Sequence, residues 1–357
     1  MSAKPIATAP RLPAGRLRAF VKEAFAAVGL RARDATTCAE LMVRADLLGA
    51  DAHGVFRLPQ YVRRIRAGGV NPNPTVRIAR EAAGMALVDG DNGMGHVVMS
   101  FAARTAIEKA KSAGVAWVGV NHSNHAGPAS LYAAMPLEHD MIGLYLAVGN
   151  ANHMAPWGGI ELLLSTNPIA VAVPALEENP VVLDMATSVA AYGKVKTAAQ
   201  RGETMPEGWM IDHYGTPLTD PKRAAEGLLV PIGGYKGYGL ALLIGLLAGT
   251  LNGAATGSQT IDFNADDTTA TNTGHAIVAI SLAAFGEVAE FKRRTDKVIR
   301  DIRASRRMPG VERIWLPGEQ SHAKFEERSR LGIPMPAPLF ASLNKLAVEL
   351  RIAALDA

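Results

Sequence analysis

Apolar residues in the first seventy positions recur every three or four places. Leu17, Phe20, Val21, Ala24, Phe25 and Val28 share one face of a helix over 15–28, which Gly29 closes. Asp34 reads as the N-cap of a second helix reaching position 48. Its apolar face is Cys38, Leu41, Met42, Ala45 and Leu48, and Gly49 ends it. Pro59 opens a third helix over 58–67, and Gly68, Gly69, Pro72 and Pro74 then mark a boundary. Beyond position 80 the pattern changes to short apolar runs broken by glycine. Segments 86–88, 114–120, 142–148, 169–173, 181–184 and 276–280 read as strands, with an amphipathic helix over 97–112. The most apolar stretch, 240–251, is too short to span a bilayer. With Gly245 and Gly249 it reads as a buried, closely packed helix. Residues 263–274 read as a polar loop, and 288–357 as helical at both ends around a Pro/Gly-rich middle.

This alternation predicts an α/β architecture. Its 357 residues exceed what one core usually organises, so two parts are expected: an N-terminal helical lobe, 1–78, packed with 286–357, and a central α/β domain, 79–285. Hydrophobic residues at 48% and charged residues at 20% are ordinary for a globular chain. The net charge of +4 is spread thinly; it suits a small anion and does not argue for nucleic acid. A single cysteine, Cys38, excludes an internal disulfide, falls on an apolar helix face and fits a reducing cytoplasm. The first fifteen residues show no apolar core of an export signal, and no membrane partner is expected.

Asp51-Ala52-His53-Gly54-Val55-Phe56-Arg57 sets an imidazole and a guanidinium four residues apart, just after a helix. Reduction of a 2-oxo or 2-imino acid needs both: a proton donor for the developing alkoxide or amine, and a forked cation for the carboxylate. His122-Ser123-Asn124-His125 follows a strand, where ligands of α/β folds gather. The HxxH spacing alone permits zinc, but it lacks a third ligand and a helix, so no metal is assigned. Gly90, Gly93 and Gly95 stand in the wrong order for a Rossmann fingerprint and read as a turn. Ser165-Thr166-Asn167 and Asp184-Met185-Ala186-Thr187-Ser188 put short polar groups at strand ends, suited to phosphate, ribose or carboxamide but equally to turns. Gly233-Gly234-Tyr235-Lys236 sets a cation at a helix mouth. Eight basic residues over 292–307 read as a solvated helix face, from which Arg306 or Arg307 could reach a 2′-phosphate.

Together the segments DAHGVFRLPQY, DGDNGMGHVV, NHSNHAGPASLYA, APWGG, STNPIAVAVP, VVLDMATS, GGYKGYGLALL, TGHAIVAI, RIWLPGE and RSRLGIP resemble the type II malate/L-lactate dehydrogenase family. That family also holds ureidoglycolate and sulfolactate dehydrogenases and Δ1-piperideine-2-carboxylate reductases. The resemblance implies a non-Rossmann fold with a central sheet domain and a helical lobe. It also implies NAD or NADP as coenzyme, a small carboxylate substrate, and a homodimer. By position it assigns His53 and His125 to proton transfer and Arg57 to the substrate carboxylate. It assigns His125, Ala126, Gly127, Pro128, Ala129, Thr166, Asp184, Met185, Ala186 and Lys236 to the coenzyme, with Arg306 a weaker match. Two positions depart from the imine-reducing branch, whose serine and aspartate are proposed to form a relay with the histidine: Ala52 and Lys194 stand there instead. Lys194 is the residue of the oxo-acid branch, where a cation can serve an alkoxide or a second carboxylate. The expected activity is therefore interconversion of a 2-hydroxy and a 2-oxo acid, with cyclic ketimine reduction as the alternative. A catalytically silent relative, suggested by Ala52, is a third reading.

Overall fold

The computed structural model describes residues 10–355, apart from the side chains at positions 196, 197, 200 and 201. The export-signal expectation falls mainly on residues 1–9, outside the described residues. β1 (Arg11–Leu12) leads into α1 (Ala14–Ala27) and α2 (Ala32–Leu47), and two 3-10 turns then precede α3 (Leu58–Arg66). The predicted faces of α1 and α2 meet: Leu17, Phe20, Val21, Ala24 and Phe25 share a core with Cys38 and Met42. α2 begins at Ala32, so Asp34 lies buried in its first turn and does not cap it.

The chain continues through β2 (Arg77–Ala82), β3 (Met85–Asp89), α4 (Gly95–Ala113), β4 (Val115–Ser123), α5 (Ser130–Ala133) and β5 (Met141–Ala147). The pair β6 (Asn152–Met154) and β7 (Leu164–Ser165) comes next, then β8 (Ile169–Val173), β9 (Val181–Met185) and α6 (Tyr192–Arg201). After the pair β10 (Met210–Asp212) and β11 (Gly227–Leu229) come α7 (Tyr235–Ala248), β12 (Thr273–Ser281), α8 (Val288–Ala304), α9 (Glu319–Leu331), β13 (Ile333–Pro334) and α10 (Ala337–Leu350). Each strand expected from the apolar runs is present: β8 has the expected bounds, β5 is shifted by one residue, β4 starts one residue later and runs three further, and β3, β9 and β12 are longer by one to four residues.

Seven strands form one mixed sheet in the order β2-β3-β4-β12-β5-β8-β9. Among its pairs, β3 with β4 is parallel and the others are antiparallel. This is a sheet distinct from the parallel Rossmann arrangement. Successive residues of β12 serve opposite layers: Ile277 and Ala279 pack with Val98, Met99 and Ala102 of α4, while Ala276 packs with Ile244 and Ala248 of α7. Antiparallel pairing also decides what gathers where. The ends of β3, β4, β5 and β9 and the starts of β8 and β12 lie along one edge of the sheet.

α7 departs from expectation. Gly237, Ala241, Ile244, Gly245 and Ala248 are buried, and Gly245 and Gly249 allow close contact with Asn167 and Thr256. The opposite face is not buried: Leu242, Leu243, Leu246 and Leu247 are 37–58% exposed, and Leu251 beyond the helix is 64% exposed. The helix has one face on the sheet, and among the described residues nothing covers the other.

The C-terminal segment touches both the N-terminal helices and the flank of the sheet. Leu343, Leu346, Ala347 and Leu350 of α10 join the core of α1 and α3, and β13 pairs with β1. From α8, the Asp296 carboxylate accepts the backbone N–H groups of Leu176, Glu177 and Glu178, beside the sheet.

Candidate active site

The turn after α2 is built around a buried carboxyl group. Asp46 Oδ2 accepts the Val55 N–H at 2.9 Å. A Cβ on Gly54 would stand 2.0 Å from Asp46 Oδ1, so any larger residue after His53 forces the Asp46 side chain or the turn to shift. Burial, helped by nearby Asp51, outweighs the Val55 N–H and Arg328 and pushes Asp46 up to about 8. Asp51 itself pairs with Arg328 of α9. The two 3-10 turns Asp51–His53 and Val55–Arg57 are thereby fixed, and they present His53 and Arg57.

His125 arrives from the end of β4. Its ring lies parallel to His53, with centroids 5.7 Å apart and 14° between planes. Phe263 covers His125 at 4.9 Å and 16°. The Arg57 guanidinium stands 5.2 Å from the centre of the same Phe263 ring. Arg57 Nε donates to Ala52 O at 3.0 Å, and Nη1 to Gln60 Oε1 at 2.8 Å and Asn264 Oδ1 at 3.2 Å. No carboxylate pairs with it among the described residues, which leaves its charge for a ligand. Burial and then Arg57 lower His53 to about 4. Burial, Arg57 and the neighbouring histidines hold His125 well below the usual imidazole range. Both rings are therefore neutral at neutral pH in the free chain.

Two further aromatic groups complete the cluster. Tyr61 of α3 sets its hydroxyl 2.6 Å from His125 Nδ1, which also accepts the Gly127 N–H at 3.3 Å. Beneath Tyr61, His96 meets the phenol edge-on at 5.6 Å, and neither of its buried nitrogens has a protein partner. Tyr61 and Gln60 lie inside the sequence segment singled out above but were not assigned. Phe263 and Asn264 sit in the stretch read only as a polar loop, and no local pattern distinguishes them.

The residues expected to hold a coenzyme collect along the sheet edge. The 126–129 segment follows His125; Ala126 O accepts the Tyr132 hydroxyl at 2.6 Å, and Ala126, Pro128 and Ala129 are buried. Ser130 N–H donates to Asp184 Oδ2 at 2.8 Å, which ties this loop to the end of β9 with Met185 and Ala186. Thr166 O accepts both the N–H and the hydroxyl of Thr187, at 2.9 and 3.0 Å. Thr187 O in turn accepts the Ile232 N–H at 2.9 Å, which brings the Gly233-Gly234 turn to the same edge. Both glycines have positive φ, at 62° and 64°, and exposed Lys236 lies in the first turn of α7 with no ion-pair partner among the described residues. Open backbone at the two glycines and an unpaired cation form a set that fits a phosphorylated coenzyme.

The remaining assignments lie further out. Lys194 is exposed in the first turn of α6; that turn reaches the segment that carries His53, since a Cβ on Gly193 would stand 3.6 Å from the Ala52 Cβ. Arg306 is exposed after α8, and no contact joins it to the cluster. The HxxH pair is split. His122 takes a left-handed conformation, φ 46°, and turns outward to Asp89 at 3.0 Å. No group of three or more metal-ligating side chains converges among the described residues, and no helix there is long and apolar enough to cross a membrane.

The sequence profile of the malate/L-lactate dehydrogenase family matches residues 12–344. Malate dehydrogenase of Pyrococcus abyssi is 38% identical over 354 residues, covering 97% of this chain and 96% of its own. The Δ1-pyrroline-2-carboxylate/Δ1-piperideine-2-carboxylate reductase of Pseudomonas putida is 34% identical over 349 residues, covering 97% and 99%. Among solved structures, sulfolactate dehydrogenase from Methanocaldococcus jannaschii superposes with a TM-score of 0.90 at 35% identity, over 96% of this chain and 98% of its own.

Proposed function

Because this chain belongs to the malate/L-lactate dehydrogenase family, we propose that it interconverts a small malate- or lactate-like 2-hydroxy acid with the matching 2-oxo acid. It is an oxidoreductase acting on a CH–OH group. The observation that carries the substrate reading is the convergence of Arg57 and His125 on one aromatic ring, Phe263. That arrangement sets a carboxylate anchor beside a proton-exchanging imidazole.

The coenzyme, NAD or NADP, supplies or takes back the hydride at C2 of the substrate when bound. The residues to hold it are the 125–129 segment, Thr166, Asp184, Met185, Ala186 and Lys236, with Arg306 available to a 2′-phosphate. Arg57 binds the substrate carboxylate and orients C2. His125 exchanges the proton with the substrate oxygen, and His53 lies against it as a second neutral ring. Charge couples these roles. Arg57 is one cause of the low proton affinity of His125, so a carboxylate that neutralises Arg57 raises that affinity. The substrate thereby helps load its own acid. Lys194 stands next to Gly193, whose position borders Ala52, and a cation there favours an oxo acid, including one with a second anionic group.

The leucine face of α7 supports a homodimer in which a second copy covers it. A single buried, unpaired cysteine suits the cytoplasm. Steady-state assays with pyruvate, oxaloacetate and Δ1-pyrroline-2-carboxylate, each with NADH and NADPH, test the reading. Oxo-acid reduction supports it. Turnover of the cyclic imine alone replaces it with ketimine reduction, and failure to bind either reduced coenzyme ends it.

A further inference from the structure

We propose that Tyr61 is the positioning residue of His125: its hydroxyl serves Nδ1 in every protonation state while Nε2 exchanges a proton with the substrate oxygen. This rests on the function proposed above for the identity of the reaction, but not for the geometry.

Two groups meet His125 Nδ1, the Gly127 N–H at 3.3 Å and the Tyr61 hydroxyl at 2.6 Å. An amide N–H can only donate, so the resting ring keeps its lone pair on Nδ1 and its hydrogen on Nε2. Nε2 has no hydrogen-bond partner among the described residues, and His125 is half-buried where His96 is fully buried. Catalysis needs the other states too. To take a proton from an alcohol, Nε2 must be bare, which moves the ring hydrogen to Nδ1. To give a proton to an alkoxide as imidazolium, the ring carries hydrogen on both nitrogens. In both states Nδ1–H needs an acceptor, and Gly127 N–H cannot be one. A hydroxyl has one hydrogen and two lone pairs, so Tyr61 donates to the bare nitrogen and accepts from the protonated one.

No other group can take that part. The titratable groups facing His125 are Arg57, His53, His96, His275 and Tyr61, and among the described residues no carboxylate bonds to it. Tyr61 is only 2% exposed, wedged in the α3 core with Leu58, Val62 and Ile65 and set edge-on to His96. Burial raises the phenol above its usual range, so it stays a hydroxyl at working pH.

Tyr61→Phe keeps the ring and its packing. The expected result is a fall in kcat of roughly 10–100-fold in both directions, with KM for the acid little changed because Arg57 is untouched. Loss of the acceptor disfavours imidazolium, so the limb of the pH profile set by His125 moves to lower pH. A merely structural tyrosine would lower the melting temperature without moving that limb. Incorporation of 3-fluorotyrosine at position 61 retains the fold and makes the hydroxyl more acidic; the limb should again shift. Nitrogen-15 NMR titration of His125 in protein and variants reads the same effect without turnover. If the unsubstituted protein reduces no oxo acid, the function reading fails while this titration still decides Tyr61. Wild-type kcat with an unmoved pH limb, or an unchanged His125 titration in Tyr61→Phe, overturns the proposal.

Discussion

Removing the Arg57 guanidinium tests the substrate reading most directly. Its Nε and Nη1 are already engaged by Ala52 O, Gln60 Oε1 and Asn264 Oδ1, so these bonds aim the group and leave Nη2 for a ligand. Truncating one partner of a buried charge pair costs roughly 2–5 kcal/mol. At 1.4 kcal/mol per decade that is about 30- to 4000-fold in KM. With only one terminal nitrogen free, Arg57→Ala should fall toward the lower part, about 30- to 200-fold. Buried Gln60 loses a partner as well, which lowers stability by about 1 kcal/mol. Arg57→Lys keeps the charge without the fork and should recover only part of the affinity. Loss of the charge should also move the His125 limb of the pH profile upward, since Arg57 is one cause of the depressed imidazole. Steady-state kinetics on the oxo acid, with coenzyme affinity measured separately by tryptophan fluorescence, separate the effects. An unchanged KM, or a coenzyme affinity that weakens in parallel, refutes the assignment of Arg57 to the substrate.

His125→Ala should lower kcat by about 10²–10⁴-fold, and His53→Ala by less; the reverse order exchanges their roles. Gly54→Ala drives a Cβ into the Asp46 carboxyl group and should cost roughly 1–3 kcal/mol in calorimetry; an unchanged melting temperature means the turn does not depend on that contact. Asp46 titrates at about 8 folded against 3.8 as its ordinary value, so the folded chain binds the extra proton between them. Its stabilising contribution is complete below the lower value and declines as pH rises through the window. Asp46→Asn should flatten that decline in urea titrations, and identical pH dependence in variant and parent would contradict the buried neutral acid. Leu243→Glu should yield monomers by light scattering if α7 is the subunit contact; an unaltered mass argues for another surface.

Local chemistry was legible and long-range assembly was not. The helix faces around Leu17 and Met42 follow from side-chain period, and His53 and Arg57 lie within one turn of each other in the chain. Strand positions follow from Val/Ile/Ala runs between glycines. The insertion of β12 between β4 and β5 depends on pairing across more than a hundred residues, which no short pattern encodes. Phe263 and Asn264 enter the site from a loop about 200 positions beyond Arg57, hidden among ordinary turn formers. His122 and His125 look equivalent in sequence, yet a left-handed residue sends one ring outward. The leucines of α7 read as buried because an apolar run looks the same in sequence whether or not its own fold covers it.

Arg64 of α3 is 1% exposed, and its guanidinium is spent entirely on backbone carbonyls: Gly69 O at 3.2 Å, Thr269 O at 2.8 Å, and Asp266 O. It thus rivets the loop that carries Phe263 to the helix that carries Tyr61. Two neighbours of His125 that come from distant parts of the chain, the phenol of Tyr61 and the ring of Phe263, are thereby tied to one another in the free chain. The entropy of setting imidazole, phenol and aromatic ring beside one another is then spent during folding.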